Sequence, residues 1–181
     1  MRMIETERLF LRRFTLEDLE DFHEYAKDPL VGPPAGWKPH ESKEESLEIL
    51  KSFATSEDIF AMTLKGSGKV IGSLGCHEDR KREYKGGVMI GYVLSSPYWG
   101  RGLMSEAVEG LLDYIFLTLG MDLVSAYHYP FNEKSGKVLK KAGLLYEGTI
   151  RKCSVLPTGD VVDDVCYSMT REEFFRKRDW L

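Results

Sequence analysis

Cysteine is scarce in this 181-residue chain: Cys76, Cys153 and Cys166 lie far apart and form no CxxC pair. An odd, scattered set excludes a secreted disulfide framework and a zinc site, and predicts reduced thiols in a cytoplasmic protein with no bound metal. Positive charge is not in excess either. Against 29 Asp and Glu stand 25 Lys and Arg, a net charge of −4, with no basic run of the kind that neutralises nucleic-acid phosphates. No stretch reaches the roughly 18 uninterrupted apolar residues of a membrane span. The opening Met1-Arg2-Met3-Ile4-Glu5-Thr6-Glu7-Arg8 is broken by charge too often for a secretory leader. With 7 Pro and 17 Gly and no fixed-period repeat, collagen-like and solenoid architectures are excluded. What remains is an ordinary globular composition, 43% hydrophobic and 30% charged. A chain of this length buries roughly 70% of its unfolded surface, so one domain over residues 1–181 is expected.

The hydrophobic period changes along the chain in an informative order. Residues 7–14 mix apolar and charged positions as a partly exposed strand does. Thr15-x-x-Asp18 and Ser42-x-x-Glu45 are capping boxes for two helices that bracket the Pro/Gly-rich loop Val31 to His40, with Trp37 in it. A two-residue period over Ile59 to Leu64 and Val70 to Cys76 predicts a hairpin, and Val88 to Leu94 a further strand. The charged residues 77–87 read as a solvated loop. Val108, Leu111, Leu112, Ile115 and Leu119 share one helix face that Gly120 closes. Leu123 to Tyr129 is a strand and Asn132 to Ala142 a helix. Leu145 to Arg151 and Val161 to Met169 are strands, and the Thr170-x-x-Glu173 box starts a last helix. The prediction is an α/β (α+β) protein with a single-layer, mostly antiparallel sheet of about seven strands flanked by helices.

The most informative segment is Trp99-Gly100-Arg101-Gly102-Leu103-Met104-Ser105-Glu106-Ala107, where a strand gives way to a long helix. A helix start carries unpaired amides and partial positive charge, two glycines admit a phosphate close to the backbone, and Arg101 adds a permanent charge. The plainer alternative is a tight turn in which both glycines merely supply positive φ. A P-loop needs Gly-Lys-Ser/Thr and finds Gly102-Leu103-Met104, and a dinucleotide fingerprint needs a third glycine where Ser105 stands.

This segment resembles the acetyl-CoA pyrophosphate loop of the GNAT N-acetyltransferase superfamily, in the branch of the ribosomal-protein N-terminal acetyltransferases. Glu5-Thr6-Glu7-Arg8-Leu9 with Leu11-Arg12, Ile90-Gly91-Tyr92, Asn132-x-x-Ser135 with Leu139-x-x-Ala142-Gly143, and Tyr167-Ser168-Met169-Thr170-x-Glu172-Glu173 are similar to that branch in the same order. Met104 replaces a smaller residue of the general superfamily pattern. Met89 stands where the branch often carries an acid, so no carboxylate base is expected there.

The resemblance implies strands Val88 to Leu94 and Leu123 to Tyr129 splayed around acetyl-CoA as cosubstrate. The main chain of Val93 and Leu94 would meet the pantetheine arm, and Trp99, Gly100, Arg101, Gly102, Leu103, Met104 and Ser105 would form the pyrophosphate turn. Asn132 and Ser135 would lie near the thioester, with Ser135 supplying a proton to the departing thiolate; a simple N-cap pair is the alternative. Lys137 is preferred over Lys140 and Lys141 for the outer phosphate. As general base, Glu78 is taken ahead of His77, His128 and Asp164, each of which also has a purely structural reading. The implied activity is direct acetyl transfer to a primary amine, such as a protein N-terminal α-amine. Polyamine or antibiotic acceptors and a non-catalytic acyl-CoA-binding domain are the alternatives. Phe174 and Trp180 are expected in the core or in a homodimer contact.

Overall fold

A computed structural model describes residues 3–179; Met1, Arg2, Trp180 and Leu181 lie outside the described residues, and with them the reading of Trp180. The chain forms an eight-stranded sheet in the order β1-β2-β3-β4-β5-β6-β8-β7. Its strands are β1 (Ile4–Glu5), β2 (Leu9–Arg13), β3 (Ile59–Leu64), β4 (Val70–Glu78), β5 (Gly87–Leu94), β6 (Leu123–His128), β7 (Leu145–Val155) and β8 (Val161–Thr170). Helices are α1 (Leu19–Ala26), α2 (Lys43–Thr55), α3 (Leu103–Asp113), α4 (Glu133–Ala142) and α5 (Arg171–Lys177). One strand exceeds the expected seven. β1 is a two-residue edge paired through Ile4 with Leu11 and Glu5 with Phe10, too short to leave a periodic trace in the sequence.

The residues pack as two compact units, Met1–Gly75 with Tyr92–Ala107, and Cys76–Gly91 with Val108–Leu181. In the first unit, β1, β2 and β3 pair antiparallel in sequence order, and β3 continues antiparallel onto β4. Its core gathers Phe14, Phe22, Tyr25, Ala26, Val31, Leu50, Ala61 and Val70, with Trp37 and Trp99 packed against it. The Pro/Gly-rich loop is thus anchored at Val31 and Trp37 rather than free. Capping follows the sequence: the Thr15 amide donates to Asp18 at 2.8 Å, and Ser42 Oγ accepts from the Glu45 amide at 3.1 Å. A 3-10 turn, Leu16–Asp18, precedes α1.

In the second unit, β5 and β6 run parallel and pair over Gly87–Met89 against Leu123–Ser125, which fits the expected splay beyond that point. β8 pairs antiparallel with β6 along Leu123–His128 and with β7. The helix predicted to end at Gly120 does so, its last stretch Tyr114–Leu119 widening to π geometry and Gly120 taking φ +70°. Phe116 and Phe174 stack with centroids 4.7 Å apart, which places Phe174 in the core. Burying each such side chain contributes about 1.5–3 kcal/mol. Among the described residues no helix is long and apolar enough to cross a membrane.

Candidate functional site

In the first unit, β5 leads through a 3-10 turn, Ser96–Tyr98, into the glycine segment. Gly100 and Gly102 both have φ +74°, a conformation that would strain an L side chain, so these two positions require glycine. The Glu106 amide donates to the Gly102 carbonyl at 3.1 Å and closes the first turn of α3. The amides of Leu103, Met104 and Ser105 therefore precede the first intrahelical donor and share the positive end of the helix. Leu103, Met104 and Ser105 are buried while Gly100 and Arg101 are exposed. Met104 is 6% exposed and counts among the buried hydrophobic residues.

Four side chains, those of Trp99, Arg101, Glu106 and Arg8, brace this segment. Trp99 Nε1 donates to the Leu94 carbonyl at 2.7 Å, which leaves that oxygen a second lone pair. The Arg101 guanidinium lies over the Tyr98 ring, 5.4 Å from its centroid. Glu106 gathers the Thr6 hydroxyl at 2.6 Å, the Arg8 amide at 2.7 Å and Arg8 Nε at 2.6 Å. Arg8 Nη1 also donates to the Arg101 carbonyl at 3.0 Å, inside the glycine turn. Burial alone would raise the Glu106 carboxyl, but the Thr6 and Arg8 hydrogen bonds hold it below the usual carboxylate range. The Thr6 and Arg8 positions belong to a motif recognised in the sequence, yet nothing there pointed to their role as a strut for the turn.

In the second unit, Asn132 caps α4, its Oδ1 accepting from the Ser135 amide at 3.3 Å. Ser135 and Asn132 are half-buried and Lys137 is exposed. Nearby, His128 Nδ1 lies 2.8 Å from the Tyr129 carbonyl oxygen, and its ring stacks on Tyr167. A Cβ at Gly136 would stand 2.7 Å from His128 Nε2, so glycine is what lets α4 approach the imidazole. His128 is half-buried, packed against Gly136 and Tyr167 and bonded to the Tyr129 carbonyl. Glu78 sits exposed at the end of β4, ion-paired with Lys85, whose hydrogen bond and charge hold the carboxyl below its ordinary value.

The residue that sequence reasoning missed is Asp79, placed within a stretch read as a solvated loop. It is only 3% exposed. Its carboxylate accepts from Ser125 Oγ at 2.5 Å, Tyr127 OH at 2.6 Å, the Lys81 amide at 2.9 Å and Arg82 Nε at 3.1 Å. Burial would raise its pKa, but these donors keep it low. The Tyr127 hydroxyl is conversely pushed up to about 12 by burial and by its bond to Asp79. No signal in a run of nine polar and charged residues separates this acid from its exposed neighbours.

A mixed, mostly antiparallel sheet flanked by helices is the fold of the acyltransferases that transfer acetyl groups to nitrogen. The Acetyltransferase (GNAT) domain family matches residues 8–145, and the chain belongs to it. The uncharacterized N-acetyltransferase p20 of Bacillus licheniformis is 29% identical over 179 residues, covering 96% of this chain and 99% of that one. A GNAT-family acetyltransferase from Bacillus anthracis superposes with a TM-score of 0.86 at 26% identity, covering 95% of this chain and 100% of that chain. Ribosomal-protein-S5-alanine acetyltransferase from Vibrio fischeri shares the fold, with a TM-score of 0.74 at 24% identity over 96% of this chain and 98% of that chain.

Proposed function

We propose that the protein transfers an acetyl group from acetyl-CoA directly to a primary amine, and that the preferred acceptor is an α-amine such as a protein N-terminus. The observation that carries this reading is the pair of left-handed glycines around Arg101 at the start of α3. They leave a stretch of backbone without Cβ atoms for a diphosphate to approach, with the Arg8 guanidinium 3.6 Å from where a Cβ on Gly102 would stand. On this reading the main chain of Val93 and Leu94, on the strand that leads into the glycine turn, would meet the pantetheine arm.

In the transfer, the neutral nitrogen attacks the thioester carbonyl carbon, the C–S bond breaks, and the thiolate leaves with a proton donated by Ser135, which regains one from the water that takes up the amine's proton. The amine's own proton passes to water at Glu78, whose ionised and exposed carboxylate suits a relay better than a strong base. The acceptor preference follows from that weakness. An α-amine with pKa about 7.8 is roughly 10–20% neutral at pH 7, whereas a lysine at about 10.4 is below about 0.1%, a gap of about 3.5 kcal/mol.

The test is acetylation of N-terminal peptides, lysine peptides, polyamines and aminoglycosides, read by free-thiol release and product mass. Thiol release with α-amine peptides ahead of lysine peptides is expected. A preference for lysine side chains overturns the acceptor assignment, and acetyl-CoA binding without thiol release from any amine overturns the transferase.

A further inference from the structure

Asp164 on β8 is 2% exposed, and its Oδ1 has no hydrogen-bond partner among the described residues. A buried carboxylate oxygen left in this state is costly and calls for a ligand or a bound water. The other oxygen, Oδ2, accepts from Lys81 Nζ at 2.8 Å and Ser154 Oγ at 3.0 Å. Ser154 is brought there by an irregularity in β7: the ladder pairs Ile150 with Asp164 and then Ser154 with Val162, leaving two extra residues on the β7 side. Within that bulge Lys152 takes φ +50°, and its amide is tied to Asp163 at 2.8 Å. Such a bulge re-aims side chains, and a non-glycine residue held left-handed is strain that the surroundings must impose. Cys153, in the bulge, sits close enough for burial, the Asp164 charge and a hydrogen bond to that carboxyl group to push its thiol up.

What already occupies this corner shows which chemistry fits it. The Lys81 ammonium lies 4.1 Å from the centroid of the Tyr127 ring while it pairs with Asp164. Tyr127 is in turn fixed by its hydroxyl, which donates to Asp79. A carboxylate beside an aromatic face is the arrangement that binds alkylammonium ions. Lys81 is tethered through a loop and its side chain is 30% exposed, so it can be displaced outward into water.

We propose that the Asp164–Tyr127 corner is the cation subsite for the acceptor, taking a primary ammonium in the place that Lys81 fills when no acceptor is present. The inference rests on the acetyl-transfer reading for the identity of the ligand as acceptor, but the subsite can be tested without turnover.

The probes are pentylamine and its neutral counterpart pentanol, titrated calorimetrically into the full-length protein, into Asp164→Asn and into Lys81→Met. Pentylamine is expected to bind the wild type more tightly than pentanol, at least fivefold more weakly to Asp164→Asn, and at least threefold more tightly to Lys81→Met, where the internal competitor is gone. Opposite signs from two neighbouring substitutions are something a merely structural pair would not produce. No preference for the amine over the alcohol in the wild type, or smaller changes than these in the variants, overturns the proposal and leaves Oδ1 to a water molecule. If Asp164→Asn does not fold, Lys81→Met alone decides. Thiol release measured separately on the wild type distinguishes the two ideas: its absence with cation binding intact sinks acetyl transfer, and its presence with unaltered binding in both variants sinks the subsite.

Discussion

The glycine turn of the first unit and the buried polar corner of the second are built on opposite plans. The turn is a matter of backbone, and its conformation rests on what is missing, two Cβ atoms at φ +74°. The corner offers side chains, and Asp79 alone collects hydrogen bonds from three other residues' side chains and one amide. A backbone site depends on local conformation and is sensitive to one added methyl group, whereas a side-chain site depends on convergence of distant segments and is sensitive to one lost partner.

The largest effect should come from adding to the turn. Gly102→Val forces a β-branched residue into left-handed φ and is expected to lower kcat/KM for acetyl-CoA at least 100-fold, about 2.7 kcal/mol, by steady-state kinetics. If acetyl-CoA kinetics are unaltered, the turn is ordinary structure and the contrast between the two regions collapses.

Removing from the corner should instead cost stability. Asp79→Ala leaves Tyr127 and Arg82 without their buried acceptor and is expected to destabilise by about 2–4 kcal/mol in denaturant unfolding. The pH sign is fixed by the same bonds. Asp79 and Glu106 have folded pKa values below their unfolded ones, so their contribution is complete above about pH 5 and is lost as pH falls through the folded values. The wild-type melting temperature should therefore drop below pH 4, and Asp79→Ala should drop less. Equal slopes for the two proteins would mean that Asp79 is not a principal acid-sensitive group.

The smallest effect sharpens the comparison where cap and chemistry overlap. Ser135→Ala keeps the amide that Asn132 accepts and removes only the hydroxyl, so kcat is expected to fall a few-fold with KM for acetyl-CoA nearly constant. A thiol of pKa about 8.5 leaves tolerably well unaided, which limits the loss. An unaltered kcat would confine Ser135 to the helix cap.

The two regions also differ in how far the residue order exposes them. Gly100, Gly102 and the boxes at Ser42 and Thr170 are local signals, each complete within four residues, and the structure places turn and helix starts where those signals stand. β1 escaped because two residues cannot display a period. Asp79 and Lys81 escaped because they sit among like residues, and only the register of β6 and β8, set by pairing far along the chain, brings Ser125, Tyr127 and Asp164 to one face. The β7 bulge was invisible for the same reason, and the strand runs to Val155 rather than Arg151.

The Glu106 strut has a consequence for biosynthesis. Thr6 and Arg8 lie 100 and 98 positions ahead of their common acceptor, so the nascent chain cannot complete that clasp until the first turn of α3 has left the ribosome. A polypeptide stalled before residue 106 would carry both amino-terminal donors with nothing to hold.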